Sequence, residues 1–167
     1  MIIELDVVPP YSEVERVYGD PDTDSDDQFD KAWLEERTKV FDLPFTLIPS
    51  WNRAKLIKRL RFHRLVGPAI VDALRDIGDF FGPKITKGEW NIFGGGLHLR
   101  TMISGPLLST HSYGIAIDLN NDKACWQCDP TAQHSYIVDA FKARGFIWGG
   151  DWEAPYEDGM HFQACRG

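Results

Sequence analysis

The sequence predicts a single α+β domain in which helices and short strands interleave along residues 1–167. The chain has 167 residues, of which 43% are hydrophobic and 26% charged, so it is large enough to bury one ordinary core. Apolar residues recur at helical spacing in some segments and alternate as in strands in others. The elements lack the regular strand–helix–strand order of a doubly wound fold, and no linker or internal repeat divides the chain.

The charge is unevenly distributed. With 18 Lys and Arg against 25 Asp and Glu, the net charge is −7, which argues against a protein built to coat nucleic acid. Residues 1–50 hold 13 acids and 4 bases, net −9, so the other 117 residues hold 12 acids and 14 bases, net +2. Most of the acidity lies at about 19–30, which we interpret as a solvated loop, because the glycine and terminal glutamate of an EF-hand calcium loop are missing.

The first half of the chain is predicted to be mainly helical. A helix is expected over 29–40 and a strand over 43–51. Over 52–81, apolar residues three or four apart predict a long helix that Gly67-Pro68 kinks or splits. Between Arg53 and Arg64 this stretch carries six Lys and Arg residues, which form either a solvated face or a docking surface for an anionic polymer such as a bacterial cell wall.

Short, glycine-punctuated strands are predicted for the second half. Strands over 89–93 and 97–102 would form a hairpin around the glycines at 94–96, and alternation predicts another strand over 113–119. Asp129-Pro130 starts a predicted helix that ends at Gly145. Two more strands are expected over 146–148 and 161–164.

Two of these segments concentrate polar residues that a fold alone does not require. Residues 109–120 contain His111 and Asp118, which can converge only if the chain bends between them, and the residues up to Gly114 offer that bend. Residues 148–163 contain Asp158 and His161. Two histidines and one carboxylate form the three-ligand set of a catalytic zinc site, which leaves Asp158 free as a general base.

Both segments resemble signatures of the M15 peptidases, a family of zinc enzymes. The first resembles S-x-H-x-x-G-x-A-x-D, filled by Ser109, His111, Gly114, Ala116 and Asp118. The second resembles D-x-x-H-F, filled by Asp158, His161 and Phe162. The preceding Trp-Gly-Gly-Asp-Trp, together with residues 17–21 and 43–45, is similar to the endopeptidase branch of the family.

The resemblance implies a hedgehog/DD-peptidase-like fold, with a small antiparallel sheet flanked by helices. It implies Zn²⁺ ligands at His111, Asp118 and His161 and a catalytic base at Asp158. Arg100, upstream of the first ligand, is the candidate for steadying the substrate carbonyl or the developing oxyanion. Gln163 stands where many relatives have glutamate, a departure that removes no ligand.

The implied function is hydrolysis of an amide bond in the peptidoglycan stem peptide. An L-alanyl-D-glutamate endopeptidase of the phage lysin type is the main hypothesis, and a D-alanyl-D-alanine carboxypeptidase is the alternative. The expected partners are stem peptides, with no nucleic acid and no membrane, and the expected state is a monomer. No signal peptide or membrane span is recognised in the sequence, so we expect the protein in the host or bacterial cytoplasm, acting on the wall after release.

Two other classes of function stay open. Cys125 and Cys128 form a CxxC motif that would suit a thiol-disulfide oxidoreductase, although the predicted helix starts only after the second thiol. With Cys165 they could also hold a structural metal, but inert thiols in a reducing compartment are the preferred interpretation. The third class is a non-catalytic cell-wall-binding module, against which the complete set of ligands and base argues.

Overall fold

One six-stranded sheet organises the computed structural model, which describes residues 2–87 and 90–167. The strands are β1 (Thr38–Pro49), β2 (Ile57–His63), β3 (Ile92–Gly95), β4 (Ala116–Leu119), β5 (Ile147–Trp148) and β6 (His161–Gln163). The α-helices are α1 (Val14–Tyr18), α2 (Lys31–Arg37), α3 (Gly67–Phe81) and α4 (Ser135–Lys142). This arrangement confirms the α+β class.

The sheet is mixed, which corrects the expectation of an antiparallel sheet. Its strand order is β2-β1-β3-β4-β6-β5. β1 and β3 run parallel, with Ile48 opposite Ile92, whereas the other four pairs of neighbouring strands are antiparallel. The chain returns between β1 and β3 through β2 and α3, and such a crossover brings the next strand back in the same direction.

The prediction of a helix over the first part of residues 52–81 is wrong. Residues Ile57–His63 form β2, antiparallel to β1 and at the end of the sheet. Lys58, Arg59 and Arg61 are exposed on this edge strand, where charged side chains discourage pairing with another chain. The predicted helix over 29–40 also ends early, because Thr38 already pairs with His63 at the start of β1.

The second half of that stretch is helical as predicted. α3 has a proline in its first turn and buries Ile70, Leu74 and Ile77 in the core. The predicted helix after Asp129 is shorter than expected: the Asp129 side chain caps a 3-10 turn, and α4 follows from Ser135. No helix in the described part of the chain combines the length and the apolar character needed to cross a membrane.

The hairpin predicted around the three glycines is also wrong. Gly94 and Gly95 lie within β3, and residues 97–102 contain no strand apart from an isolated bridge between Thr101 and Leu108. Glu89, at the start of the predicted strand, lies outside the described residues. A Cβ atom on Gly94 or Gly95 would lie 3.1 Å from an atom of the Asp118 side chain, so glycine lets β3 approach this carboxylate closely.

The acidic loop around 19–30 is exposed over residues 23–28, as expected for a solvated segment. Asp22 is the exception, since it is only 9% exposed. Its carboxylate accepts hydrogen bonds from the backbone amides of Asp26 and Asp27 at 3.1 and 3.2 Å. Asp22 therefore fixes the loop conformation by local capping bonds.

Candidate metal centre

Three buried polar side chains meet at the centre of the sheet. His111 lies on the 3-10 helix Thr110–Tyr113, Asp118 on β4 and His161 on β6. Asp118 and His161 are direct partners in the antiparallel register of β4 and β6. One ligand atom from each of the three side chains falls within 4.8 Å of the others, and the residues are only 2–6% exposed. The structure thus brings together all three predicted ligands.

The bend that lets His111 approach Asp118 is at Gly114. Its φ of 67° is left-handed, a conformation that glycine adopts without strain, and its amide donates to the carbonyl of His111 at 3.1 Å. A Cβ atom here would lie 2.8 Å from the backbone nitrogen of His63. Glycine is therefore required both by the turn and by the neighbouring strand.

Hydrogen bonds define which nitrogen of His111 faces the centre of the cluster. Nδ1 lies 2.9 Å from the carbonyl oxygen of Gly96, which can only accept, so Nδ1 carries the hydrogen and Nε2 the lone pair. Nε2 lies 3.2 Å from Oδ2 of Asp118, yet it is buried and has no hydrogen-bond partner among the described residues. On the other side, Nδ1 of His161 lies 2.8 Å from Oδ1 of Asp118.

This donor set fits a zinc ion. Two imidazole nitrogens and one carboxylate oxygen are the donor types that zinc prefers, and three protein ligands leave a fourth position for water or substrate. The unpartnered, buried Nε2 of His111 would gain a partner in such a site. His111, Asp118 and His161 are therefore the residues that would hold the metal.

The cluster keeps Asp118 ionised although it is buried. Burial raises the pKa of its carboxyl group, but the neighbouring His111 and His161 lower it more, so the pKa lies well below its ordinary value. For His161, burial lowers the pKa, and the hydrogen bond and charge of Asp118 raise it above the ordinary value. A charged carboxylate between two histidines is the protonation state that a divalent cation requires.

Asp158 lies in the turn that leads into β6. Its backbone amide donates to Gly149 at 2.9 Å, and its carbonyl accepts from the amide of His161 at 3.1 Å. The residue is 8% exposed, and Oδ1 has no partner among the described residues. Burial raises the pKa of Asp158 to about 6, aided by the charge of Asp118 and opposed by His161 and Arg100. A carboxylate with a pKa near neutrality suits a general base.

Arg100 was expected on a strand, and the structure places it on an irregular segment. This segment is held against the 3-10 helix, because the amide of Arg100 donates to Oγ of Ser112 at 3.0 Å and its carbonyl accepts from the amide of Ser109 at 2.9 Å. Arg100 borders both of the cavities that flank the cluster. The Nη1 atom of its guanidinium donates to the carbonyl oxygen of Thr101 at 3.2 Å.

Two cavities flank the cluster and share Arg100 as a lining residue, and we call the pair the cleft. The first has a volume of about 520 Å³ and is lined by His111 and Asp118 together with Trp51 and His98. The second has a volume of about 730 Å³ and is lined by His161 and Trp152, whose ring centroids are 5.4 Å apart. The sequence did not predict that Trp51, His98 and Trp152 line these cavities. Of the three, only Trp152 belongs to a motif, the Trp-Gly-Gly-Asp-Trp segment, that could have indicated it.

The other histidines do not belong to the cluster. His63 is buried between backbone groups, with Nε2 3.1 Å from the carbonyl oxygen of Tyr18. His134 caps α4 by accepting from the amide of Tyr136 at 3.1 Å. His98 is exposed at the first cavity. None of these three histidines contributes a ligand atom to the cluster.

The cysteines differ from the expected inert thiols. Cys125 and Cys128 are joined by a disulfide, which the turn between them permits because their Cα atoms are 5.1 Å apart. Cys165 is a buried free thiol, and burial raises its pKa to about 11. The predicted helix starts after the second thiol, as expected, and α4 begins even later than predicted, at Ser135.

Comparison with known proteins agrees with this geometry. Residues 103–164 match the family model described as D-alanyl-D-alanine carboxypeptidase. This match supports assignment of the chain to the M15 peptidase family. The matched segment contains all three candidate ligands and Asp158, and it begins just after Arg100. The match supports a peptidase of the kind that acts on peptidoglycan. No solved structure matches the chain significantly.

Proposed function

We propose that this protein is a zinc-dependent L-alanyl-D-glutamate endopeptidase of the M15 family that cleaves inside the peptidoglycan stem peptide. The observation that carries the proposal is the pair of cavities, of which one is lined by His111 and Asp118 and the other by His161. An endopeptidase must hold substrate residues before and after the scissile bond, whereas a carboxypeptidase needs room for only one terminal residue on one side. The two cavities supply that room.

A zinc ion held by His111, Asp118 and His161 would polarise the scissile carbonyl and make water a better nucleophile at neutral pH. The carboxylate of Asp158 then takes a proton from the attacking water and passes it to the leaving amine nitrogen. Arg100 lines both cavities, and its guanidinium donates hydrogen bonds to the carbonyl oxygen as negative charge develops on it.

The charges along the cleft favour an acidic substrate segment in the first cavity. Arg61 and Arg100 line this cavity, and Asp118 is the only carboxylate among its lining residues. Two guanidinium groups suit a peptide that carries a carboxylate, as the D-glutamyl residue of a stem peptide does. The second cavity has side chains of both charges, since Asp151 and Glu153 line it beside Arg166.

Mass spectrometry of purified peptidoglycan after digestion tests the proposal. We expect muropeptides that end in L-alanine and released peptides that begin with D-glutamate, and we expect neither from enzyme treated with a chelator. Release of free D-alanine alone would show the carboxypeptidase, the alternative that the description of the matched family favours. Binding to the wall without any product would instead show a non-catalytic module. We also propose that the protein is a monomeric lysin, which reaches the cell wall after its release from the cytoplasm.

A further inference from the structure

We propose that Gln163 is a positioning residue that selects the tautomer of His161 through its side-chain amide. The inference rests on the proposed zinc function. Gln163 lies on β6 and is 3% exposed. Its Oε1 atom is 2.8 Å from Nε2 of His161. This nitrogen is the one that does not face Asp118.

The orientation of the amide is determined by a backbone group. Nε2 of Gln163 donates to the carbonyl oxygen of Cys165 at 2.8 Å. Because a carbonyl oxygen can only accept, the NH₂ group must point toward Cys165 and the amide oxygen toward His161. The same oxygen also accepts from the hydroxyl of Thr110 at 3.0 Å. Its two lone pairs are therefore both used, and the reversed amide would place two oxygens against each other.

The oriented amide determines which nitrogen of His161 can bind a metal. An amide oxygen only accepts, so Nε2 of His161 carries a hydrogen, and the lone pair of the neutral ring is on Nδ1. Nδ1 is the nitrogen that lies 2.8 Å from Asp118. The carbonyl of Gly96 does the same for His111 from the opposite nitrogen. Each candidate histidine ligand thus has one acceptor that directs its lone pair inward.

The hydroxyl of Thr110 is the other polar group near Nε2 of His161, but it is a weaker partner. It lies 3.4 Å from Nε2 and already donates to Gln163. Removing the amide oxygen therefore removes the main constraint on the ring, whereas removing the hydroxyl leaves it in place. This difference provides a matched control.

Zinc affinity, measured by competition with a chromophoric chelator, tests the inference without using activity. Loss of an outer-shell partner of a histidine ligand weakens metal binding about 10–100-fold, and we expect this loss for Gln163→Leu. Gln163→Glu keeps an oxygen toward His161 and loses the donor to Cys165, so it should bind zinc within about threefold of wild type while melting at a lower temperature. Thr110→Val should also stay within about threefold.

The outcomes distinguish a role of Gln163 in positioning His161 from a role in packing alone. Wild-type affinity in a folded Gln163→Leu variant would overturn the inference, and so would equal losses in the Leu and Glu variants. The absorption spectrum of the cobalt-substituted protein should change in Gln163→Leu and be retained in Gln163→Glu. If Gln163→Leu does not fold, Gln163→Met has a similar length and no amide oxygen, and the same loss is expected. Failure of the wild type to bind zinc would refute the proposed function itself.

Discussion

Two buried histidine environments in this molecule differ in partners, not in burial. His63 is 1% exposed and His111 is 2% exposed. His63 has a backbone partner on each ring nitrogen: the carbonyl of Tyr18 at 3.1 Å and the amide of Leu65 at 3.2 Å. His111 has one backbone partner, Gly96, and its second nitrogen faces a carboxylate without a hydrogen bond.

The comparison shows what distinguishes a structural histidine from a ligand. The fold alone satisfies His63, whose pKa is lowered by burial to about 4, so the ring stays neutral. An unsatisfied buried polar atom such as Nε2 of His111 costs about 1–3 kcal/mol, which a bound cation would offset. The burial of a histidine therefore says less about its role than the number of its nitrogens that the chain itself satisfies.

The largest expected effect is the loss of zinc from His111→Ala. With one of three protein ligands missing, zinc affinity should fall by more than about 1,000-fold, and hydrolysis should fall to background. Chelator competition and peptidoglycan digestion measure the two effects. The matched control is His63→Gln, which should lower the melting temperature and retain zinc. Full hydrolysis by a zinc-free preparation would contradict the metal assignment.

The next effect separates catalysis from metal binding. Asp158→Ala should bind zinc as tightly as wild type and lose about 100- to 10,000-fold in kcat, the contribution typical of a general base. Asp139→Ala, on the exposed face of α4, is the control and should retain full turnover. Comparable turnover in the two variants would remove Asp158 from the mechanism.

A smaller effect concerns His63 and pH. The folded pKa of about 4 lies below the ordinary value of 6.5, so the unfolded chain binds more protons between these values. The contribution of neutral His63 to the free energy of unfolding is therefore fully present above pH 6.5 and is lost as the pH falls toward 4. Between pH 7 and pH 5, denaturant titration of zinc-free protein should show a loss of about 2 kcal/mol more for wild type than for His63→Gln. Equal losses would mean that His63 does not set this acid sensitivity.

The smallest effect is expected at the disulfide. Replacing both Cys125 and Cys128 with serine should leave peptidase activity largely intact, because neither sulfur belongs to the cluster. The amide of Gln127 still donates to the carbonyl of Glu157 at 2.8 Å, a backbone bond that does not involve the sulfurs. Digestion assays check this, and a complete loss of activity would favour the thiol-disulfide oxidoreductase.

The candidate site was more predictable from sequence than the fold around it. His111, Asp118, Asp158 and His161 lie in two short segments. A glycine bend lets His111 and Asp118 converge, and the resemblance to the M15 signatures implied that the two segments form one site. β2 could not be predicted this way, because its apolar residues also fit helical spacing and only pairing with β1 decides the conformation. The hydrogen bonds of Gln163 depend on contacts in three dimensions that no spacing rule describes.

The parallel pairing of β1 with β3 joins the first part of the chain to the strands that carry the candidate site. It brings the end of β1 and the adjoining Trp51 to the cleft, where Arg61 of β2 also lies. None of these residues belongs to the segment 103–164, which holds every candidate ligand and the base. The first cavity is thus lined in part by residues from outside the segment that holds the candidate ligands, so its shape and charge could be altered without changing any of those ligands.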